Sequence, residues 1–281
     1  MYDCVIIGAG PAGVACAIYV KQAGYNVAII ENELIGGQPL LTDSITNVVG
    51  FVGTGEQFGQ TLTKQLEDNN IEILYGYGCI KNNKLYLDKE EIETRCIVIA
   101  TGAKPNKLPE IDNAHYCALC DGILYKDKKV IVIGSGNVAY GEALYLSKIA
   151  SNIILLQNNN FPILVNHDLQ EKVNKLDNIE IINYDHIIDN SNKILTIKSS
   201  GVISQISYDG VFVSIGRTPN LDCIESVNIS FDSYDVYIDG IHDRIFAIGD
   251  VLDKPIKQIS TAIGDGVTCS QKVIKYLEEN Y

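Results

Sequence analysis

The chain has 281 residues, 46% of them hydrophobic and 20% charged, enough for one large or two ordinary α/β domains and too apolar for a disordered segment. Its formal charge of -13 argues against nucleic-acid binding, which needs clustered Lys and Arg to displace counterions. The uncharged stretch Cys4 to Val20 carries three glycines and a proline and has only Asp3 as a charge before it, so it reads neither as a membrane span nor as a secretory leader, and a cytoplasmic protein is expected.

From the first residues onward the chain alternates apolar runs with helical stretches. Cys4 to Ile7 is a short apolar run leading into Gly8-Ala9-Gly10-Pro11-Ala12-Gly13, then a helix to about Ala23, then a second run at Val27 to Ile30. A shift of 126 residues repeats the pattern: Val130 to Ile133, then Gly134-Ser135-Gly136-Asn137-Val138-Ala139, a helix to about Ile149, and Ile153 to Leu156. A Gly-x-Gly turn between a strand and a helix lets the backbone approach a pyrophosphate, which then sits on the helix N-terminus. Two βαβ units of dinucleotide-binding type are therefore expected, with Gly8, Gly10 and Gly13 in the first turn.

The ends of the second strands differ. Counting 23 residues from Gly8 reaches Glu31, a carboxylate suited to ribose hydroxyls. The same count from Gly134 reaches Gln157, followed by Asn158, Asn159, Asn160 and Phe161, and no arginine lies between Ala100 and Gly216. Neither an acid for a ribose nor a guanidinium for a ribose phosphate is present there.

Further along, Ile97 to Ala100 ends in Thr101-Gly102-Ala103 and leads to Pro105 and Pro109, and Val211 to Ile215 ends in Gly216 before Arg217-Thr218-Pro219. These read as two hinge crossings. The expected architecture is α/β with two Rossmann-like lobes, the first discontinuous (1–109 and 218–281) and the second (110–217) inserted into it. Ile245 to Gly249 gives another strand of the first lobe, closing on Asp250, and a helix is expected from about Thr261 to Leu277.

Of the eight cysteines, Cys4, Cys16, Cys79, Cys96, Cys223 and Cys269 sit singly in apolar runs and read as small core residues. Cys117 and Cys120 form the one Cys-x-x-Cys pair, compatible with a redox disulfide or, with His115, half a zinc site that lacks its remaining ligands. The four histidines, His115, His167, His186 and His242, show no metal spacing and no fixed relation to the thiols, and read as ordinary polar or capping residues. Lys126, Lys128 and Lys129 make a small basic cluster, a solvated strand start or a docking aid for an acidic carrier.

Taken in order, the first glycine turn with Glu31, Gly36-Gly37-Gln38, Asn47 with Gly50, Ala100-Thr101-Gly102, Cys117-Ala118-Leu119-Cys120-Asp121-Gly122, Gly249-Asp250 and Lys257-Gln258 resemble the low-molecular-weight thioredoxin reductase family of flavin disulfide reductases. The resemblance implies FAD in the discontinuous lobe, on Gly8, Gly10, Gly13, Glu31, Gln38, Asn47, Gly249, Asp250 and Gln258. It implies a Cys117–Cys120 redox disulfide with Cys120 facing the flavin, Cys117 attacking thioredoxin and Asp121 shuttling the proton. A homodimer is likewise implied. The family's usual donor is NADPH. The missing basic segment after Leu156 instead resembles the branch in anaerobes that takes electrons from reduced ferredoxin, and 19 Lys against 3 Arg fits an A/T-rich genome. Three alternatives stay open: a reductase with unusual nicotinamide recognition, a dithiol oxidase using oxygen, and a noncatalytic redox-sensing flavoprotein.

Overall fold

The computed structural model describes residues 1–42, 45–225, 228–238, 241–254 and 256–281. The chain forms two compact units, one of Met1–Lys104 with Pro219–Tyr281 and one of Pro105–Thr218. Residues 105–109 group with the second unit, so the first crossing falls at its Pro105 rather than after Pro109.

In chain order the elements that place the functional residues begin with β1 (Tyr2–Ile7), α1 (Pro11–Gln22), β2 (Val27–Glu31), α2 (Gly55–Asp68), β3 (Glu72–Tyr75) and β4 (Thr94–Ile99). The second unit contributes α3 (Ala118–Asp121), β5 (Lys129–Ile133), α4 (Asn137–Leu146), β6 (Asn152–Asn158), β7 (Ile179–Tyr184) and β8 (Gly210–Val213). The chain then returns with β9 (Ile229–Asp232), β10 (Asp235–Ile238), β11 (Ile241–Ala247) and α5 (Ile259–Asn280).

The first unit is built on a sheet of order β9-β10-β11-β4-β1-β2-β3, in which β11, β4, β1, β2 and β3 run parallel. Successive strand residues point to opposite faces. Cys4, Ile6 and Val98 therefore meet Val14, Cys16 and Ala17 of α1 and Cys269, Val273 and Leu277 of α5. Val5, Ile7, Ile97 and Ile99 instead meet Ile80 and Leu85 of a small antiparallel sheet. Gly266 sets how closely the two helices approach, since a Cβ there would lie 2.3 Å from the Ala12 carbonyl oxygen.

The second unit repeats the scheme with order β7-β6-β5-β8, all parallel. Ala139, Tyr140, Ala143 and Leu146 of α4 cover Val130, Val132, Ile153 and Leu155. An antiparallel sheet carrying Leu195, Ile197 and Ile206 covers the opposite face. Among the described residues, no helix is long and apolar enough to cross a membrane.

Five of the six single cysteines are buried, but Cys79 is partly exposed, and its thiol donates to the Glu225 carboxylate at 3.7 Å. This departs from the core reading, because strand Gly78–Lys81 turns that side chain outward beside the Lys81–Glu225 ion pair.

Candidate functional site

In the first unit the turn after β1 brings the sequence-expected glycines together. Gly8 adopts φ of 109°, and a Cβ there would meet the Ala100 carbonyl oxygen at 2.6 Å. A Cβ on Gly13 would lie 2.0 Å from the Gly8 carbonyl oxygen, so this glycine is needed for α1 to start against the strand. Gly10 is different: a Cβ there meets nothing within 4 Å, which leaves the backbone open at the N-cap of α1, where Pro11 lacks an N–H and the helix dipole is positive. Gly36 N donates to the Ala9 carbonyl at 3.0 Å, and Gly37 lies over the Gly10 Cα.

Glu31 ends β2 buried, one carboxylate oxygen accepting from Ala9 N at 2.8 Å and the other from Asn32 N and Glu33 N at 2.9 Å each. It thus clamps the glycine turn to its own strand. Gln38 donates to the Ala103 carbonyl, and Asn47 donates to Gln258 Oε1 at 3.2 Å. Gly249, at φ of 74°, packs against Ala12, and Asp250 follows it in a single 3₁₀ turn whose carbonyl accepts from Lys257 Nζ. One unit therefore gathers an open glycine turn, a buried acid beside it and amide side chains from distant segments. These residues fit the ADP and flavin ends of FAD.

The second unit carries the thiols. Cys117 and Cys120 are joined in a disulfide with Cα atoms 5.3 Å apart, and Cys120 belongs to the single turn α3. Cys117 caps that turn, its Sγ accepting from Cys120 N at 3.2 Å. Ala118 N donates to Glu142 Oε1 at 3.0 Å, and the other Glu142 oxygen accepts from the Ser214 hydroxyl. Burial pushes the Glu142 carboxyl up, and its two hydrogen bonds and Arg217 act in the opposite direction. Sequence reasoning missed Glu142, although an acid inside the otherwise uncharged helix Asn137–Leu146 was a usable signal.

His115 is not the ordinary polar residue that spacing suggests. Its Nδ1 lies 3.0 Å from Asp121 Oδ2 and its Nε2 lies 2.7 Å from the Tyr125 hydroxyl, with its ring against Phe212. His115 pairs with β8 through a parallel bridge to Phe212, and that pairing turns its ring toward α3. His167 and His186 are exposed, and the side chain of His242 lies outside the described set. In the basic cluster, Lys128 folds back to donate to the Leu124 carbonyl at 3.2 Å and lies 5.5 Å over the Tyr125 ring, so it serves its own turn.

The second glycine turn is covered by its own chain. Leu164 N donates to the Ser135 carbonyl at 2.9 Å, Asn137 N donates to the Leu164 carbonyl at 3.2 Å, and Gly136 and Leu164 form a parallel bridge. Asn166 N adds a bond to Asn137 Oδ1 at 2.8 Å. The N–H that opens α4 is thus engaged, at the position where the first turn has Pro11 and no N–H, and Leu164 meets the Ser135 carbonyl as Gly36 meets that of Ala9. Gln157 is buried and donates to the Tyr140 hydroxyl at 2.9 Å, pointing into the core rather than toward a ribose. Asn159 and Asn160 bind the Asp185 carboxylate and carbonyl at 2.7 and 3.1 Å. Hydrogen bonds from Asn159 and Ser200 N hold the Asp185 carboxyl below its usual range, placing a negative charge beside the asparagine run.

Two α/β units of dinucleotide-binding type, one with an open glycine turn and the other with a Cys-x-x-Cys disulfide followed by an acid, define a disulfide oxidoreductase. A profile of the family described as pyridine nucleotide-disulphide oxidoreductase matches residues 2–266. The thioredoxin reductase of Ureaplasma parvum serovar 3 is 33% identical over 310 residues, covering 100% of this chain and 98% of the relative. A Clostridium pasteurianum protein described as a 34.2 kDa protein in a rubredoxin operon is 35% identical over 303 residues, covering 98% and 97%. The solved thioredoxin reductase of Streptococcus pyogenes MGAS5005 aligns with a TM-score of 0.81 at 31% identity over 99% of both chains. The chain belongs to the pyridine nucleotide-disulphide oxidoreductase family, among its low-molecular-weight thioredoxin reductases, and is an enzyme of the flavin disulfide oxidoreductase type.

Proposed function

We propose that this enzyme is a thioredoxin reductase that holds FAD in its first unit and takes its electrons from reduced ferredoxin rather than from a nicotinamide. The observation that carries the donor reading is the segment at the end of β6, where Gln157 is turned inward onto Tyr140 and Asn159 and Asn160 are bound to Asp185, so neither a carboxylate nor a cation is offered to a ribose or its phosphate. Asp185 adds to it, since a carboxylate beside Asn159 repels the ribose phosphate of NADPH. A phosphate that loses two or three charge-assisted hydrogen bonds, each worth about 1.5–3 kcal/mol, weakens by several orders of magnitude.

Gly8, Gly10 and Gly13 hold the pyrophosphate, Glu31 the adenosine ribose, Gly249 and Asp250 the ribityl and phosphate region, and Gln38, Asn47 and Gln258 the ribityl and ring. Bound FAD supplies the exchange between one-electron and two-electron carriers. Cys120 is the thiol nearer the flavin, Cys117 forms the mixed disulfide with thioredoxin, and Asp121 moves the proton. The working form is a homodimer.

A second reading, nicotinamide-dependent reduction, is favoured by the family's pyridine-nucleotide description and by the thioredoxin reductase relatives. Anaerobic rapid mixing separates the two. The flavin of the purified protein is expected to bleach with reduced ferredoxin and to stay oxidised with submillimolar NADH or NADPH. Bleaching by either nucleotide within seconds overturns the donor reading.

A further inference from the structure

Outside the disulfide and the glycine turns, the second unit contains a connected line of proton-bearing groups. Asp121, directly after Cys120, meets His115 Nδ1 at 3.0 Å, and His115 Nε2 meets the Tyr125 hydroxyl at 2.7 Å. Tyr125 in turn lines a cavity of about 460 Å³ with Asp112, Asn190, Lys193, Tyr208 and Asp209. The side chains of His115 and Asp121 are 22% and 15% exposed, so Asp121 is largely shielded from bulk water.

The line is built rather than incidental. A Cβ on Gly210 would lie 2.2 Å from the Tyr125 ring, so glycine at the start of β8 is what admits the tyrosine. Edge-on contacts of Tyr125 with His115 and Phe212, with centroids 5.2 and 5.6 Å apart, fix the ring planes. Burial and the carboxylates of Asp121 and Asp209 push the Tyr125 phenol up, which keeps it protonated. A protonated phenol both donates and accepts, so the imidazole can hold its proton on Nδ1, facing Asp121, or on Nε2, facing the phenol oxygen, the two arrangements a relay alternates between. The other charged or titratable groups around the line are Glu142 on α4, Arg217 after β8, Tyr208 and Asp209 before it, and Lys128 over the Tyr125 ring.

We propose that His115 and Tyr125 are a proton relay that connects Asp121, and through it Cys120, with water in this cavity. Reduction of the Cys117–Cys120 disulfide breaks one S–S bond and, with the electron pair delivered by the reductase, forms two S–H bonds. Where the donor carries electrons only, as reduced ferredoxin does in the proposed function on which this step rests, both protons come from solvent. In the return half the imidazole carries its proton on Nε2: the Cys120 thiol gives its proton to Asp121, Asp121 passes it to the free Nδ1, Nε2–H passes its proton to the Tyr125 oxygen, and the phenol proton leaves to water in the cavity. Its thiolate then attacks Cys117 Sγ of the mixed disulfide, which closes Cys117–Cys120 and expels the partner thiolate. His115 and Tyr125 are positioning residues that act through Asp121.

The test uses the flavin-loaded protein in a Cys79→Ser background, reduced with dithiothreitol, desalted anaerobically and mixed with 5,5′-dithiobis(2-nitrobenzoate). The first thionitrobenzoate leaves on attack by Cys117 and the second on resolution by Cys120, and this leaving group needs no proton. His115→Ala is expected to slow the second release about tenfold or more near neutral pH, less at high pH where the thiolate forms without a relay, and to leave the first release within about twofold. Added imidazole restores the second release. Tyr125→Phe, which keeps the ring on Gly210, slows it about threefold or more. Equal slowing of both releases, a loss that imidazole does not restore, or a wild-type profile in Tyr125→Phe overturns the relay. Neither ferredoxin nor thioredoxin enters this assay, so it stands or falls apart from the donor reading.

Discussion

Replacing Glu31 by glutamine tests the cofactor cradle at its most constrained point. The carboxylate accepts three backbone N–H groups, two on one oxygen and Ala9 N on the other. A glutamine whose oxygen keeps Asn32 N and Glu33 N turns its NH₂ against the N–H of Ala9, donor against donor, in a buried position. One hydrogen bond to a charged acceptor is lost, costing about 1.5–3 kcal/mol. In a unit of this size that lowers the apoprotein melting temperature by about 3–12 °C. The cofactor adds a separate readout. Flavin stabilises the folded chain by an amount that falls about 1.4 kcal/mol for each tenfold loss of affinity, so the gap between holoprotein and apoprotein melting should shrink in Glu31→Gln. Thermal melts of both forms, with released flavin identified by chromatography, make the measurement. An apoprotein melting within about 1 °C of wild type refutes the clamp. An unchanged gap refutes the ribose role of Glu31 while leaving the clamp intact.

Cys117→Ser is expected to leave a Cys120 thiolate that gives a long-wavelength charge-transfer band with oxidised flavin, and Cys120→Ser is expected to abolish disulfide reduction; a band in Cys120→Ser alone reverses the two roles. In native, oxidised protein alkylation should mark Cys79 and spare Cys4, Cys16, Cys96, Cys223 and Cys269, because burial shields all five, while hydrogen bonding with Cys96 and then burial raise the Cys4 thiol and burial raises those of Cys16, Cys223 and Cys269; peptide mass spectrometry reads the pattern. Glu142 titrates above its ordinary value of 4.5 in the folded chain, so the folded state binds its proton more tightly and stability falls as pH rises from there through the raised value. Denaturation of Glu142→Gln across that range should be flatter with pH than wild type, and parallel curves would show that burial does not govern this group.

The glycine turns, the strands that feed them and the doubled βαβ pattern were legible in the sequence because their causes are local. A positive φ at Gly8, or an apolar run such as Val130 to Ile133, is specified by adjacent residues. The same holds for Glu31, whose place at the end of β2 puts its carboxylate on the neighbouring glycine turn. Strand and helix ends moved by a few residues: α5 starts at Ile259 rather than near Thr261, where Gln258 and Thr261 form the cap.

What tertiary structure decided concerns groups that chain order keeps apart. Sequence showed that Gly134, Gly136 and Ala139 would admit a pyrophosphate, but not that Leu164 returns to take the hydrogen bonds of that turn. Gln157 was placed by counting, yet only the packing of α4 on β6 shows that it is satisfied by Tyr140 and turned inward. His115 gave no signal of its own. It meets Asp121 because bridging to β8 fixes its direction while the α3 turn brings the acid round, and Gly210 then leaves room for Tyr125. Local sequence sets backbone conformation, whereas a buried polar group takes the partner that strand register and packing place within hydrogen-bond reach.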